Sequence, residues 1–212
     1  MEELIDEVLA KVTTGRPHST LRKIVDVCST LVNPRVLMMG VGQGAEAIVV
    51  NKLVKNAKVT VVDDWRFSFL VTGTPGLNRY TVENTRSNYD LNLKTFNIDN
   101  IESIEGNLFT KSVFKLIDRE WDFIYYDISN GEHANDRDFF LSNIRRLWDK
   151  MSDNGILMGG SSYYFIDIYR KLTPIVDEFA DEVDRIVEFD ITSQNQYWII
   201  RKKDILGGYH ER

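Results

Sequence analysis

The chain has 212 residues, of which 43% are hydrophobic and 27% charged; this suffices for one globular domain with a substantial core and excludes a disordered tail or a small disulfide-stapled scaffold. Acidic residues outnumber basic ones by 32 to 26, and the net charge of −6 disfavours nucleic acid as a partner, because phosphates require a basic face. The single cysteine, Cys28, cannot form an internal disulfide. Since neither a signal-peptide pattern nor an apolar run of about 20 residues is found, we expect a cytoplasmic protein without a membrane span.

Two amphipathic helices are predicted ahead of the first strand. Apolar residues recur at helical spacing from Leu4 to Val12, and a second helix begins at Ser19, a residue suited to N-capping, and extends to Leu31. The stretch between them, Gly15-Arg16-Pro17-His18, is typical of a turn. Residues 1–34 are therefore expected to form helices in front of a sheet.

A strand, helix, strand unit follows. Residues 35–39 form a short apolar run that suits a strand buried on both faces. A helix is predicted over 45–54, and the β-branched run over 58–63 predicts a second strand that ends in an acidic pair.

The rest of the chain continues this alternation. Further strands are predicted at 101–105, 123–126, 156–159, 186–190 and 196–201, and helices near Leu116 and Ile117 and through Phe140, Ile144, Leu147, Trp148 and Met151. The alternation predicts a three-layer α/β fold, with a Rossmann-like, doubly wound sheet of seven mostly parallel strands. The connection over 191–195 is too short for a helical crossover, so the last two strands should form a C-terminal antiparallel hairpin. We expect a single domain over 1–212, with its core over 35–202 and a polar tail over 203–212.

A glycine-rich loop joins the first predicted strand to the following helix. It reads Gly40-Val41-Gly42-Gln43-Gly44-Ala45. Glycine permits a tight turn and a close approach of ligand to backbone, and the helix N-terminus offers unpaired N–H groups. Asp63 ends the adjacent strand, where a carboxylate can accept both hydroxyl hydrogens of a ribose. The structural alternative is a glycine turn that closes a strand, with a solvated acid beside it.

Two cofactor classes use such a loop. The pattern Gly40-x-Gly42-x-x-Ala45 also satisfies a dinucleotide fingerprint. A nicotinamide enzyme, however, usually starts at its first strand and needs room for a second half. The loop, the acid after the second strand and the closing hairpin resemble the class I S-adenosylmethionine-dependent methyltransferases, and this resemblance covers about residues 36–202.

Within that class the chain looks most like a small bacterial and phage-type subgroup whose second strand ends in Asp-x-Trp, here Asp63-Asp64-Trp65. The resemblance implies S-adenosylmethionine as cofactor and places Asn107 and Leu108 at its adenine. Asp127, after the strand at 123–126, would face the methyl donor and acceptor. The implied cofactor-binding residues are Gly40, Val41, Gly42, Gln43, Gly44, Asp63, Asp64, Trp65, Asn107, Leu108 and Asp127.

Asp127 and His133 are the candidate catalytic residues, since imidazole titrates near neutral pH and a carboxylate can orient it. Asp127 could instead cap its loop, and His133 could belong to an ordinary helix start. Metal-dependent relatives carry an acid after the fifth strand, where this sequence reads Gly159-Gly160-Ser161-Ser162. Because a divalent cation needs several hard oxygen ligands, no metal is expected.

Two aromatic groups are candidates for the acceptor site. The segment from Trp65 to Tyr89, expected to contain no strand, could form a flap over the substrate or pack outside the third helix. The other group, Tyr163, Tyr164 and Phe165, follows the fifth main-sheet strand at the edge where ligands of open α/β folds bind.

The leading hypothesis is a methyltransferase that acts on a small-molecule acceptor, at oxygen. A non-catalytic module that binds S-adenosylmethionine or a nucleoside is the first alternative, and a nicotinamide-dependent oxidoreductase is the second. A homodimer formed through the N-terminal helices or the hairpin is a further expectation.

Overall fold

A computed structural model of the chain describes residues 1–12, 14, 17–65, 68–71, 80–83, 86–108, 110–127, 136–160, 166–191 and 196–203. The helices in this part of the chain are α1 (Glu2–Lys11), α2 (His18–Cys28), α3 (Ala45–Leu53), α4 (Arg86–Thr95), α5 (Val113–Leu116), α6 (Arg137–Asp149) and α7 (Ile166–Glu182). The strands are β1 (Arg35–Met39), β2 (Lys58–Asp63), β3 (Ser68–Val71), β4 (Tyr80–Glu83), β5 (Glu102–Glu105), β6 (Trp121–Tyr126), β7 (Met151–Gly160), β8 (Val187–Ile191) and β9 (Gln196–Arg201).

Seven strands form the main sheet in the order β5-β2-β1-β6-β7-β9-β8. The first five strands in this order run parallel, whereas β9 pairs antiparallel with both β7 and β8. The predicted fold class is confirmed, including the closing hairpin. The chain moves from β1 to β2 on one side and later returns to β6 on the other, so the strand order reverses between β1 and β6. In open α/β sheets, ligands bind at such a reversal, outside the carboxyl ends of the strands.

Alternate residues of β1 enter two hydrophobic cores on opposite faces of the sheet. Val36 and Met38 join the core beneath α1, α2 and α3, while Leu37 and Met39 join the core beneath α6 and α7. All four side chains are fully buried. This burial on both faces explains why the sequence of β1 is a continuous apolar run.

The expectation that the segment from Trp65 to Tyr89 contains no strand is wrong. β3 and β4 pair as an antiparallel hairpin in which Ser68 stands opposite Glu83 and Val71 opposite Tyr80. Both strands contain the aromatic and β-branched residues that favour extended backbone, and glycine and proline lie between them. Tyr89 lies beyond the hairpin, in α4.

Other differences concern the ends and number of elements. Met151, assigned to a helix from its spacing, begins β7 instead, since α6 ends at Asp149. Sequence analysis also missed α4 and the long helix α7, although Tyr89, Leu93 and Phe96 carry a helical apolar spacing. Among the described helices, none has both the length and the apolarity to cross a bilayer.

Candidate functional site

The glycine loop (residues 40–44) lies at the carboxyl end of β1 and leads directly into α3. Gly40, Gly42 and Gly44 have φ values of +80°, +53° and +91°, in the left-handed region that glycine adopts without steric cost. The Gly40 N–H donates to the Val62 carbonyl oxygen at 3.0 Å, and the Gly44 N–H donates to that of Val41 at 2.8 Å. Hydrogen bonds therefore hold the first residue of the loop to β2 and the last residue to Val41 within the loop.

Gly40 also contacts the end of β6. The Asp127 N–H donates to the Met39 carbonyl oxygen at 2.9 Å. A Cβ atom on Gly40 would lie 1.9 Å from the Asp127 carbonyl oxygen and 3.5 Å from Leu108 Cδ1. Three predicted site residues, Gly40, Leu108 and Asp127, are thus brought together where the strand order reverses.

The Asp63 carboxylate, at the end of β2, accepts a hydrogen bond from the glycine loop. Its Oδ2 atom accepts the Gly42 N–H at 2.8 Å, and its Oδ1 atom accepts the Trp65 N–H, also at 2.8 Å. Burial raises the pKa of Asp63, while the backbone N–H groups of Trp65 and Gly42 act in the opposite direction. Because each carboxylate oxygen can accept two hydrogen bonds, these contacts leave acceptor capacity for a ligand. Asp64, the next residue, is half-buried.

Trp65 packs beneath the glycine loop. Its indole N–H donates to the Gly42 carbonyl oxygen at 3.0 Å, its backbone has a φ of +47°, and its side chain is buried. The Arg86 guanidinium lies 4.5 Å from the centroid of the Trp65 ring, and the Tyr89 ring lies 5.1 Å from it, centroid to centroid. Both backbone groups of Gly42 are therefore held, one by Asp63 and the other by Trp65.

Helix α4 supports the same loop from the side. Asn92 Nδ2 donates to the Gln43 carbonyl oxygen at 3.0 Å. The Tyr89 ring fills the space above Gly44, where a Cβ atom would lie 2.9 Å from it, and the Tyr89 hydroxyl is 2.9 Å from Ser103 Oγ on β5. Sequence analysis did not find these contacts, since only the fold brings α4 to a loop more than 40 residues earlier in the chain.

Asn107 and Leu108 follow β5 but differ in environment. Asn107 is exposed, and its carbonyl oxygen accepts the Thr110 N–H at 3.1 Å and the Thr110 hydroxyl at 2.9 Å. Leu108 is buried beside Gly40. Both residues follow the carboxyl end of β5, at the same edge of the sheet as the glycine loop.

The structure does not describe every residue that the sequence singled out. His133 and the aromatic group Tyr163, Tyr164 and Phe165 fall outside the described residues. His18 lies at the start of α2, where its Nε2 atom is 3.1 Å from a Glu2 carboxylate oxygen and 3.6 Å from one of Asp6. In the described part of the chain, no group of three or more histidine, cysteine or acidic side chains is placed to hold a metal ion.

The chemistry of this edge is that of a binding site for a polar organic ligand. Within the described residues, the Gln43 N–H donates to no acceptor, and the buried Asp63 carboxylate lies on the same loop. A backbone donor and a carboxylate with spare acceptor capacity can together bind a ligand that carries both an anionic group and hydroxyl groups.

No protein-family model and no curated protein matches this sequence. The fold is nevertheless similar to that of solved methyltransferase structures. A Staphylococcus aureus protein, provisionally assigned as a caffeoyl-CoA O-methyltransferase, superposes with a TM-score of 0.63 at 14% identity, over 94% of this chain and 91% of its own. An O-methyltransferase from Bacillus cereus in complex with SAH gives a TM-score of 0.62 at 11% identity, over 95% and 90% of the two chains. The SAH-bound methyltransferase PaMTH1 of Podospora anserina gives 0.55 at 15% identity, over 87% and 78%.

Proposed function

We propose that this chain is an S-adenosylmethionine-dependent methyltransferase that acts on an oxygen atom of a small-molecule acceptor. One observation carries the proposal: Gly40, at the end of β1, lies against Asp127, at the end of β6, where the strand order of the sheet reverses. The similarity to structures described as O-methyltransferases supports the reaction type and the choice of oxygen. The subgroup indicated by Asp63-Asp64-Trp65 is part of the same proposal.

The residues present fit this cofactor. A Cβ atom on Gly40 or Gly44 would collide with Asp127 or Tyr89, so the loop accepts only glycine at these positions, as a close turn beneath a ligand requires. In our proposal the Gln43 N–H binds the amino-acid end of the cofactor, and Asp63 accepts hydrogen bonds from its ribose hydroxyl groups. Asn107 and Leu108 lie beside its adenine, with Asp64 near the ribose.

When bound, S-adenosylmethionine supplies a methyl group on a positively charged sulfur, which is already a good leaving group. The chain must therefore hold the acceptor oxygen in line with that methyl group and remove its proton. In our proposal the carboxylate of Asp127, a residue whose backbone contacts Gly40, orients the acceptor. His133, six residues further on, is our candidate for the base that takes the proton.

We assign acceptor binding to the β3–β4 hairpin. In the chain the hairpin follows Trp65, two residues beyond β2, and precedes Arg86 at the start of α4, and the Arg86 guanidinium lies 4.5 Å from the centroid of the Trp65 ring. The described residues on either side of the hairpin in the chain, Trp65 and Arg86, thus lie beside the glycine loop, which supports this assignment. The net charge of −6 favours a neutral or cationic small molecule over nucleic acid.

Calorimetric titration with S-adenosylhomocysteine tests the cofactor. We expect the wild type to bind and Asp63→Asn to bind at least about tenfold more weakly, because it loses a charge-assisted acceptor. Asp122→Asn is the matched control, since Asp122 also accepts a backbone N–H, from Arg35 at 2.8 Å, but at the amino edge of the sheet. We expect this variant to bind like the wild type.

Transfer of a labelled methyl group from S-adenosylmethionine to phenolic and alcoholic acceptors tests the reaction. Binding without transfer to any acceptor would favour the alternative of a non-catalytic binding module, which retains the same loop. Absence of binding by the wild type would refute the proposal. Binding of NADH instead, seen as a change in its fluorescence, would favour an oxidoreductase.

A further inference from the structure

Side chains outside the glycine loop determine how its peptide groups are oriented. No cis peptide bond occurs in the described residues. A trans peptide is planar, and its C=O and N–H point in opposite directions. The group that holds the Gly42 carbonyl oxygen therefore also sets the direction of the Gln43 N–H, which belongs to the same peptide.

The Trp65 indole is the group that holds this carbonyl, at 3.0 Å. Trp65 is itself anchored, because its backbone N–H donates to Asp63, and Asp63 accepts the Gly42 N–H. These three hydrogen bonds link Gly42, Asp63 and Trp65 in a closed ring. Rotation of the peptide between Gly42 and Gln43 would break the indole bond and leave a buried indole N–H without its acceptor.

Asn92 holds the next carbonyl of the loop. Its Nδ2 atom donates to the Gln43 carbonyl oxygen at 3.0 Å, so the peptide groups on both sides of Gln43 are held by side chains. Trp65 is only 6% exposed, too little to offer a face of its ring to a ligand. Its influence on binding must therefore act through the loop.

We propose that Trp65 is a positioning residue for the cofactor: its indole directs the Gln43 N–H toward the bound ligand, and Asn92 holds the other side of the same residue. This assignment rests on the proposed function and revises the role that the sequence suggested for Trp65, which was direct contact with the cofactor. Because Asn92 lies on α4, the proposal also means that α4, which follows the β3–β4 hairpin, helps to set the affinity for the cofactor.

The test replaces Trp65 by Phe, which keeps an aromatic ring and removes the indole N–H. Trp121→Phe is the matched control, because the Trp121 indole also donates to a backbone carbonyl, that of Ile117 at 3.2 Å, and is equally buried but far from the loop. Both variants should melt at lower temperature than the wild type. Only Trp65→Phe should bind S-adenosylhomocysteine more weakly, by about three- to tenfold, the equivalent of one hydrogen bond.

Asn92→Ala is a second variant that does not disturb the core, since Asn92 is half-buried on α4. We expect about threefold weaker binding. Its control is Asn51→Ala, which removes an amide on α3 that donates to Asn100 instead of the loop. The ¹⁵N amide resonance of Gln43 should shift in Trp65→Phe and Asn92→Ala and stay unchanged in both controls.

The outcomes separate this proposal from the proposed function. If the wild type does not bind S-adenosylhomocysteine, the proposed function and a role in cofactor binding are both wrong, and the Gln43 resonance shows only whether Trp65 and Asn92 orient that N–H. If the wild type binds and each variant binds like its control, Trp65 and Asn92 are structural only. Should Trp65→Phe fail to fold, wild-type affinity together with an unshifted Gln43 resonance in Asn92→Ala would overturn the proposal.

Discussion

A Cβ atom on Gly159 would lie 2.2 Å from the indole ring of Trp198. The two residues stand opposite each other where β7 pairs with β9, and the Trp198 side chain is buried. The carboxyl end of β7 therefore has no room for a side chain at position 159.

Gly159→Ala should accordingly destabilise the protein by about 2–3 kcal/mol, because the methyl group overlaps an indole that cannot move out of a packed core. Urea unfolding measures the change. Gly106→Ala is the control, since its Cβ would lie no closer than 3.2 Å to its neighbours, all of them side-chain atoms. An equal loss in the two variants would contradict the account.

Gly40→Ala should lose both stability and cofactor binding. At a φ of +80° an alanine is strained, and its Cβ atom would overlap the backbone of Asp127. We expect a loss of about 3 kcal/mol or more in the free energy of unfolding, together with loss of S-adenosylhomocysteine binding by calorimetry. Wild-type affinity would show that the loop does not take part in binding.

Asp63 should make the stability depend on pH in an unusual direction. Burial raises its pKa above the ordinary value of 3.8, so the folded protein binds this proton more tightly than the unfolded chain. The corresponding stabilisation is fully present below 3.8 and is lost as the pH rises through the raised pKa of the folded state.

The free energy of unfolding of the wild type, measured relative to that of Asp63→Asn, should therefore increase as the pH falls from 7 towards 4. Urea unfolding of both proteins across this range is the measurement. A relative decrease on acidification would mean that the hydrogen bonds to the carboxylate outweigh its burial.

Replacing residues 68–83 by a short Gly-Ser linker should separate cofactor binding from catalysis. Ser68 and Glu83 stand opposite each other in the hairpin, so a linker of a few residues can close the gap. We expect S-adenosylhomocysteine affinity within about threefold of the wild type and no methyl transfer. If the variant still methylates an acceptor of the wild-type enzyme at an unchanged rate, the hairpin does not bind the acceptor.

Cys28 should be unreactive in the folded protein. It is fully buried, and burial raises the pKa of its thiol to about 12, with a smaller effect from the charge of Asp122. Since the thiolate is the reactive form, a disulfide reagent at pH 8 should label one thiol per chain in urea and essentially none without it. Rapid labelling of the native protein would show that α2 opens readily.

The sequence by itself determined the order of the main elements and the place of the glycine loop. The apolar run of β1, the β-branched run of β2 and the short connection before β9 are local patterns, and local backbone preference and burial on both faces produce them. Gly40, Gly42 and Gly44 could be recognised because their spacing between a strand and a helix is also a local property. The residues of β3 and β4 are of types that favour strands, but the length and the glycine content of the segment from Trp65 to Tyr89 led to the prediction of a loop.

Only the tertiary structure decided how the loop is held. Asn92 donates to Gln43, which lies 49 residues earlier in the chain, and Trp65 donates to Gly42, which lies 23 residues earlier. No periodicity or motif encodes such contacts, because they depend on how the folded chain packs α4 and Trp65 against the glycine loop. The same holds for Asp63: its place at a strand end can be read from the sequence, whereas its bonds to Gly42 and Trp65 exist only in the folded chain.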